Sequence, residues 1–191
     1  MKKLSIIFIF LLSFQSISSA DTISEYEEVG LKLGKSLTKI MTELEIIENV
    51  ASISENKQYY DIIYKPNTST FPNLDADFYI VTIDINDEEL KIVSFTSLEW
   101  FKNDFEGCMK KQDIIANKLE KIFKIKKEVH DIVDFSHLYG PGSKWRPIIF
   151  EYPIKANTAS VLCYHYGDNP EEDNLKIAIH TRKYADFITV D

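Results

Sequence analysis

His130, Asp134 and His137 recur at spacings of four and three residues. On a helix those positions share a face, so two imidazoles and a carboxylate would meet. Such a set suits zinc with one coordination position open, as a small metal-dependent envelope hydrolase would need. No general base adjoins it, and the opposing expectation is a solvated helix face. Cys108 and Cys163 are the two cysteines. Neither has a neighbouring motif that would activate a thiolate, so the expectation is a disulfide between them. On a chain-entropy account the closed loop contributes about 4 kcal/mol at most.

Two other stretches imitate ligand loops. Gly30-Leu-Lys-Leu-Gly34-Lys35-Ser36 has three residues between its glycines, whereas a phosphate loop needs four to wrap its backbone N–H groups around the phosphates. Asp84-Ile-Asn-Asp-Glu-Glu89 lacks the glycine of a calcium loop and has Phe95 where the twelfth-position acid belongs. A hairpin turn is expected instead. Lys110, Lys111, Lys118, Lys121, Lys124, Lys126 and Lys127 give the stretch from Glu106 to Glu128 a local charge of +3. That could dock an acidic partner, but it also describes the wet side of an amphipathic helix.

Strand alternation yields the candidate binding residues. If Cys163 faces a helix layer to reach Cys108, Val161 and His165 face it too, and Leu162, Tyr164 and Tyr166 point away. On the following strand Leu175, Ile177 and Ile179 fill the core, leaving Lys176, His180 and Arg182 on the outer face. Tyr164, Tyr166, Lys176, His180 and Arg182 could therefore stack on a sugar or hold an acidic peptide. The same residue types are also ordinary on the wet side of an antiparallel sheet.

Several elements must position these residues. Ser24 and Glu27 have the spacing of a capping box, and Tyr26, Val29, Leu33, Leu37, Ile40, Leu44 and Ile47 follow at helical intervals. A helix is expected there, ending in a polar stretch over 51–57. Tyr59 to Tyr64, Phe78 to Ile85 and Leu90 to Thr96 read as strands. A second helix is expected from a box at Thr96 and Glu99 through Ile122, with Gln112 its polar interruption and Gly107 a possible break. Residues 128–138 fit either a helix or a strand. Arg146 to Tyr152, Thr158 to Tyr166 and Leu175 to Arg182 read as further strands, with Phe187 to Val190 as an edge strand. The expected fold is α+β: an antiparallel sheet of about five strands with two or three helices packed on one face.

The chain opens with Lys2 and Lys3, an apolar run from Leu4 to Phe14, and a small-residue ending at Ser18 and Ala20. This is the pattern of a signal peptide over 1–20, leaving a single domain over 21–191 in the periplasm or outside the cell. The apolar run is shorter than a membrane-spanning helix. Without Lys2 and Lys3 the chain has 20 basic and 30 acidic side chains, a net charge of -10. That balance argues against nucleic acid as a partner. With 45% hydrophobic and 13% aromatic residues among 191, enough apolar surface exists to fold a core. No nucleophile–base pair or cofactor fingerprint stands out, so no cofactor is expected. The expected function is non-catalytic binding of a protein or envelope component, in the manner of an inhibitor or immunity protein. The alternatives are the metal-dependent hydrolase and a carbohydrate-binding module.

Overall fold

The structure is a computed structural model that describes residues 22–66, 76, 78–151 and 157–189. The expected signal peptide lies outside those residues. Eleven strands and four α-helices are described. The strands are β1 (Glu27–Glu28), β2 (Leu31–Lys32), β3 (Val50–Ile53), β4 (Tyr59–Tyr64), β5 (Phe78–Asp84) and β6 (Ile92–Trp100). The rest are β7 (Glu128–Val129), β8 (Val133–Asp134), β9 (Lys144–Glu151), β10 (Thr158–His165) and β11 (Asn174–His180). The helices are α1 (Glu43–Glu48), α2 (Phe105–Phe123), α3 (Ser136–Tyr139) and α4 (Arg182–Ile188).

The fold is α+β, but its main sheet has nine strands rather than five, in the order β3-β4-β5-β6-β11-β10-β9-β7, with β8 also on β9. Its strand pairings, among the described residues, are antiparallel. Residues 128–138 resolve into β7, β8 and α3, and the polar stretch after residue 50 supplies edge strand β3.

The long first helix is absent. Gly30 and Gly34 explain why: each costs a helix interior about 1 kcal/mol, and both sit at positive φ (88° and 75°). Val29 and Gly30 turn β1 back onto β2, both with φ above zero as a tight hairpin demands. The segment then lies flat on the sheet. Gly34 donates its N–H to the Ile92 carbonyl at 2.8 Å, and Leu37 donates to Leu90 at 3.1 Å. Buried Glu28 accepts from the hydroxyls of Tyr26 (3.0 Å) and Tyr79 (2.6 Å). The capping box in this region belongs to Thr42 and Glu45, which open the six-residue α1.

The box expected at Thr96 and Glu99 falls inside β6; Asp104 caps α2 instead, accepting from Gly107 N–H at 2.8 Å. Gly107 does not break the helix. A Cβ there would lie 2.0 Å from Asp104 Oδ2, so glycine is what allows the cap to close. Buried Gln112 donates to the carbonyls of Arg146 and Val161, both at 2.7 Å, pinning α2 to β9 and β10. The disulfide between Cys108 and Cys163 joins the same layers, with Cα atoms 6.0 Å apart.

One face of the sheet is thus covered by α2 and by the segment from Ile23 to Met41, and the core lies between. The opposite face is not bare, contrary to the expectation of helices on one side. Residues 182–188, whose end was expected to be an edge strand, form α4, capped by Thr181. Tyr184 and Phe187 seat this helix on Tyr59 of β4, with ring centroids 5.1 and 4.8 Å away.

Candidate functional site

The disulfide sets the parity of β10. Cys163, Val161 and Ala159 point into the core, so Leu162, Ser160 and Thr158 emerge on the opposite, outer face. Register carries this parity sideways: Leu162 pairs with Pro147 and Lys176, Tyr164 with Trp145, and Thr158 with His180. On β11, Leu175, Ile177 and Ile179 are buried in the core and Lys176 and His180 alternate with them.

Helix α4 crosses this outer face and leaves a groove beside it. The floor is Ile149, Ser160 and Leu162; Trp145 and Tyr164 close one end, and Ala185 and Ile188 of α4 form a side. The groove holds about 460 Å³, within the roughly 300–1,000 Å³ of small-molecule sites. His180 and Arg182 line it as well, so three of the five expected binding residues meet there. Arg182 is the first residue of α4 rather than the end of a strand, and its Nε pairs with Asp186 at 2.7 Å. His180 Nδ1 shares a 2.7 Å hydrogen bond with Ser94 Oγ. Burial lowers the His180 pKa to about 4, so the ring is neutral at physiological pH.

Tyr164 and Tyr166 belong to a column of rings. Trp145 stacks on Tyr164 at 5.6 Å and Tyr166 follows at 6.1 Å, with interplanar angles of 18° and 15°. Phe135 meets both tyrosines edge-on, and Tyr139 meets Tyr166 the same way. The ring of Tyr164 is therefore engaged by its neighbours rather than laid open like a sugar-stacking platform. Burial raises the pKa of its hydroxyl, which keeps its proton.

Lys176 stands at the other side of Tyr164, its Nζ 4.7 Å from the ring centroid. The side chain is half-buried, and burial lowers its pKa. Among the described residues it has no hydrogen-bond or ion-pair partner; the tyrosine face is its one electrostatic contact.

The other sequence candidates lie apart from the groove. His130 follows β7, with Nε2 3.8 Å from Glu128; Asp134 ends β8 and accepts from Ser136 N–H at 2.8 Å; His137 is on α3. They do not share a helix face, and among the described residues no group of three His, Cys, Asp or Glu is placed to hold a metal ion. In the β5–β6 turn, Asp84 and Asp87 accept from backbone N–H groups two residues on, and Asp84 pairs with Lys183 at 2.8 Å. Of the seven lysines, Lys124, Lys126 and Lys127 lie beyond the end of α2; Lys111 on the helix reaches Glu99 at 2.5 Å and Lys127 reaches Glu120 at 3.5 Å.

Sequence reasoning missed Trp145, Ile149 and the whole of α4. Alternation back from Arg146, which pairs with Cys163, would have placed Trp145 and Ile149 outside. The signal for α4 was Thr181 followed three residues later by Tyr184, whose N–H the threonine caps at 3.3 Å. Among the described residues no helix is long and apolar enough to cross a membrane. No family model, curated protein or solved structure matches the chain.

Proposed function

We propose that the protein is exported and acts by binding rather than by catalysis, holding an envelope component or a protein segment in the groove between α4 and strands β9–β11. The observation that carries this is the groove of about 460 Å³ on the sheet face opposite the core, where Tyr164, His180 and Arg182 converge with apolar side chains. The disulfide suits an oxidising compartment. The polar groups around the groove are held in place already: neutral His180 on Ser94 and Arg182 on Asp186. Such fixed groups orient a ligand without offering an activated nucleophile.

The test is retention of fractionated envelope protein, lipid and glycan on the immobilised mature chain, beside a Ser160→Trp variant whose groove is filled. A component held by the natural chain and released by the variant supports the proposal. Equal retention by both, or retention by neither, refutes it.

A further inference from the structure

We infer that the ligand of the groove is a free amphipathic carboxylate, its apolar chain lying along Leu162 and Ile149 and its anionic head meeting Lys176. The inference rests on the groove being the binding site. It deepens that proposal by naming the chemistry that fits.

The starting point is an imbalance of charge. An ammonium removed from water loses hydration, and native structures offset the loss with a carboxylate or with hydrogen-bond acceptors. Lys176 has neither among the described residues; a cation–π contact with Tyr164 at 4.7 Å stands in their place. Buried carboxylates elsewhere are partnered: Glu28 by two tyrosines, Asp173 by His165 and the Tyr166 N–H, Asp84 by Lys183. Arg182 already has Asp186 as counter-ion through Nε, whereas Lys176 has no counter-ion among the described residues.

Lys176 borders the groove rather than lining it. Lys176 lies across from Leu162, a floor residue, and its Nζ rests on Tyr164, an end wall. A carboxylate reaching past the edge of Tyr164 would meet the half-buried ammonium where water is thinned, which strengthens the attraction. From there the floor runs past Leu162 to Ile149, with Ile188 of α4 alongside. A single alkyl chain follows such a path without leaving polar groups against these side chains.

The experiment is titration of the mature Trp100→Phe chain with decanoate and, separately, with 1-decanol, following Trp145 fluorescence. Decanoate is expected to give a saturable change with at least tenfold tighter binding than decanol. Lys176→Met keeps the apolar stem and removes the charge; it should abolish the preference by weakening decanoate while leaving decanol unchanged. Lys176→Arg should restore much of it, which guards against a folding defect in the methionine variant. Ser160→Trp should weaken both ligands. Equal affinity for the two ligands, or decanoate binding unaltered in Lys176→Met, overturns the anionic head while the groove stands. Binding of neither ligand overturns the inference, and the envelope-retention test then judges the groove alone.

Discussion

Neutral His180 makes the fold sensitive to acid, and the size of the effect follows from its surroundings. The imidazole lies between β6 and α4, bonded through Nδ1 to Ser94 Oγ at 2.7 Å and packed on Tyr184 with centroids 5.5 Å apart. Burial lowers its pKa from the ordinary 6.5 to about 4. Below pH 6.5 the unfolded chain takes up a proton that the folded chain refuses, so stability is lost as pH falls through that window. Applying linkage to the two values, the loss between pH 7 and pH 5 is about 2 kcal/mol. In His180→Asn the amide can occupy the Nδ1 position and keep the bond to Ser94, but it does not titrate. Urea unfolding of both chains at pH 7 and pH 5 isolates the contribution, because every other titrating group is common to them. The natural chain should lose about 2 kcal/mol more than the variant over that interval. Parallel losses, or the His180 imidazole itself titrating near pH 6.5 by NMR in the folded protein, would refute the reasoning.

Four further predictions rest on buried contacts. Burial raises the Glu28 pKa, so ionising it in place costs stability; Glu28→Gln, which cannot ionise, should raise the urea midpoint at pH 7, while Glu28→Leu should lower stability by about 2 kcal/mol or more by orphaning two tyrosine hydroxyls. Gly107→Ala should destabilise by about 1 kcal/mol in thermal melts, although alanine favours helices, because the added carbon displaces the Asp104 cap. Gln112→Leu leaves the carbonyls of Arg146 and Val161 without its donors and should cost about 2 kcal/mol in urea unfolding. Removing both cysteines of the bridge across 55 residues should cost up to about 4 kcal/mol, lowering the melting temperature by roughly 8–16 °C, and the reduced natural chain should match the double variant.

The strands were legible because their signal is local. Tyr59–Tyr64 is a short aromatic and β-branched run, and in Phe78–Asp84 and Asn174–His180 every second residue (Tyr79, Val81, Ile83; Leu175, Ile177, Ile179) turns to the core. The disulfide was legible from the cysteine count and the want of any activating motif, and it carried the parity of β10 with it. The N-terminal segment was not. Its apolar residues recur at helical spacing, yet Leu44 and Ile47 at the end of that stripe are exposed, while Leu31 and Leu33 are buried two apart. Two glycines and a buried glutamate requiring Tyr79 from another strand decided the outcome, and that last partner is 51 residues distant. Helix α4 was missed because Phe187 and Ile188 look like an edge strand until Tyr59 is available to receive them. Of the groove residues, Tyr164 and His180 follow from alternation, Arg182 reaches the groove from α4 instead of a strand, and the aromatic column around Tyr164 depends on Phe135 and Trp145 arriving from other elements.

The two faces of the sheet differ in how they treat charge, and that difference argues for where the function lies. On the core side, Glu99 reaches Lys111 at 2.5 Å, Asp173 holds His165 at 2.8 Å, and Glu28 sits between two hydroxyls. The Glu28–Tyr79 bond spans 51 residues, while the others tie neighbouring elements together; all are satisfied within the fold. On the outer side Asp84 is answered by Lys183, which ties α4 to β5, and Arg182 by Asp186 within α4. Lys176 alone among these charges leans on a ring instead of a counter-ion. Selection for stability would exchange it for methionine, which fills the same space without losing hydration. Lys176→Met should therefore leave the protein at least as stable as the natural chain in urea unfolding. A marked loss of stability in that variant would make the ammonium structural and remove the electrostatic reason for placing a ligand beside it.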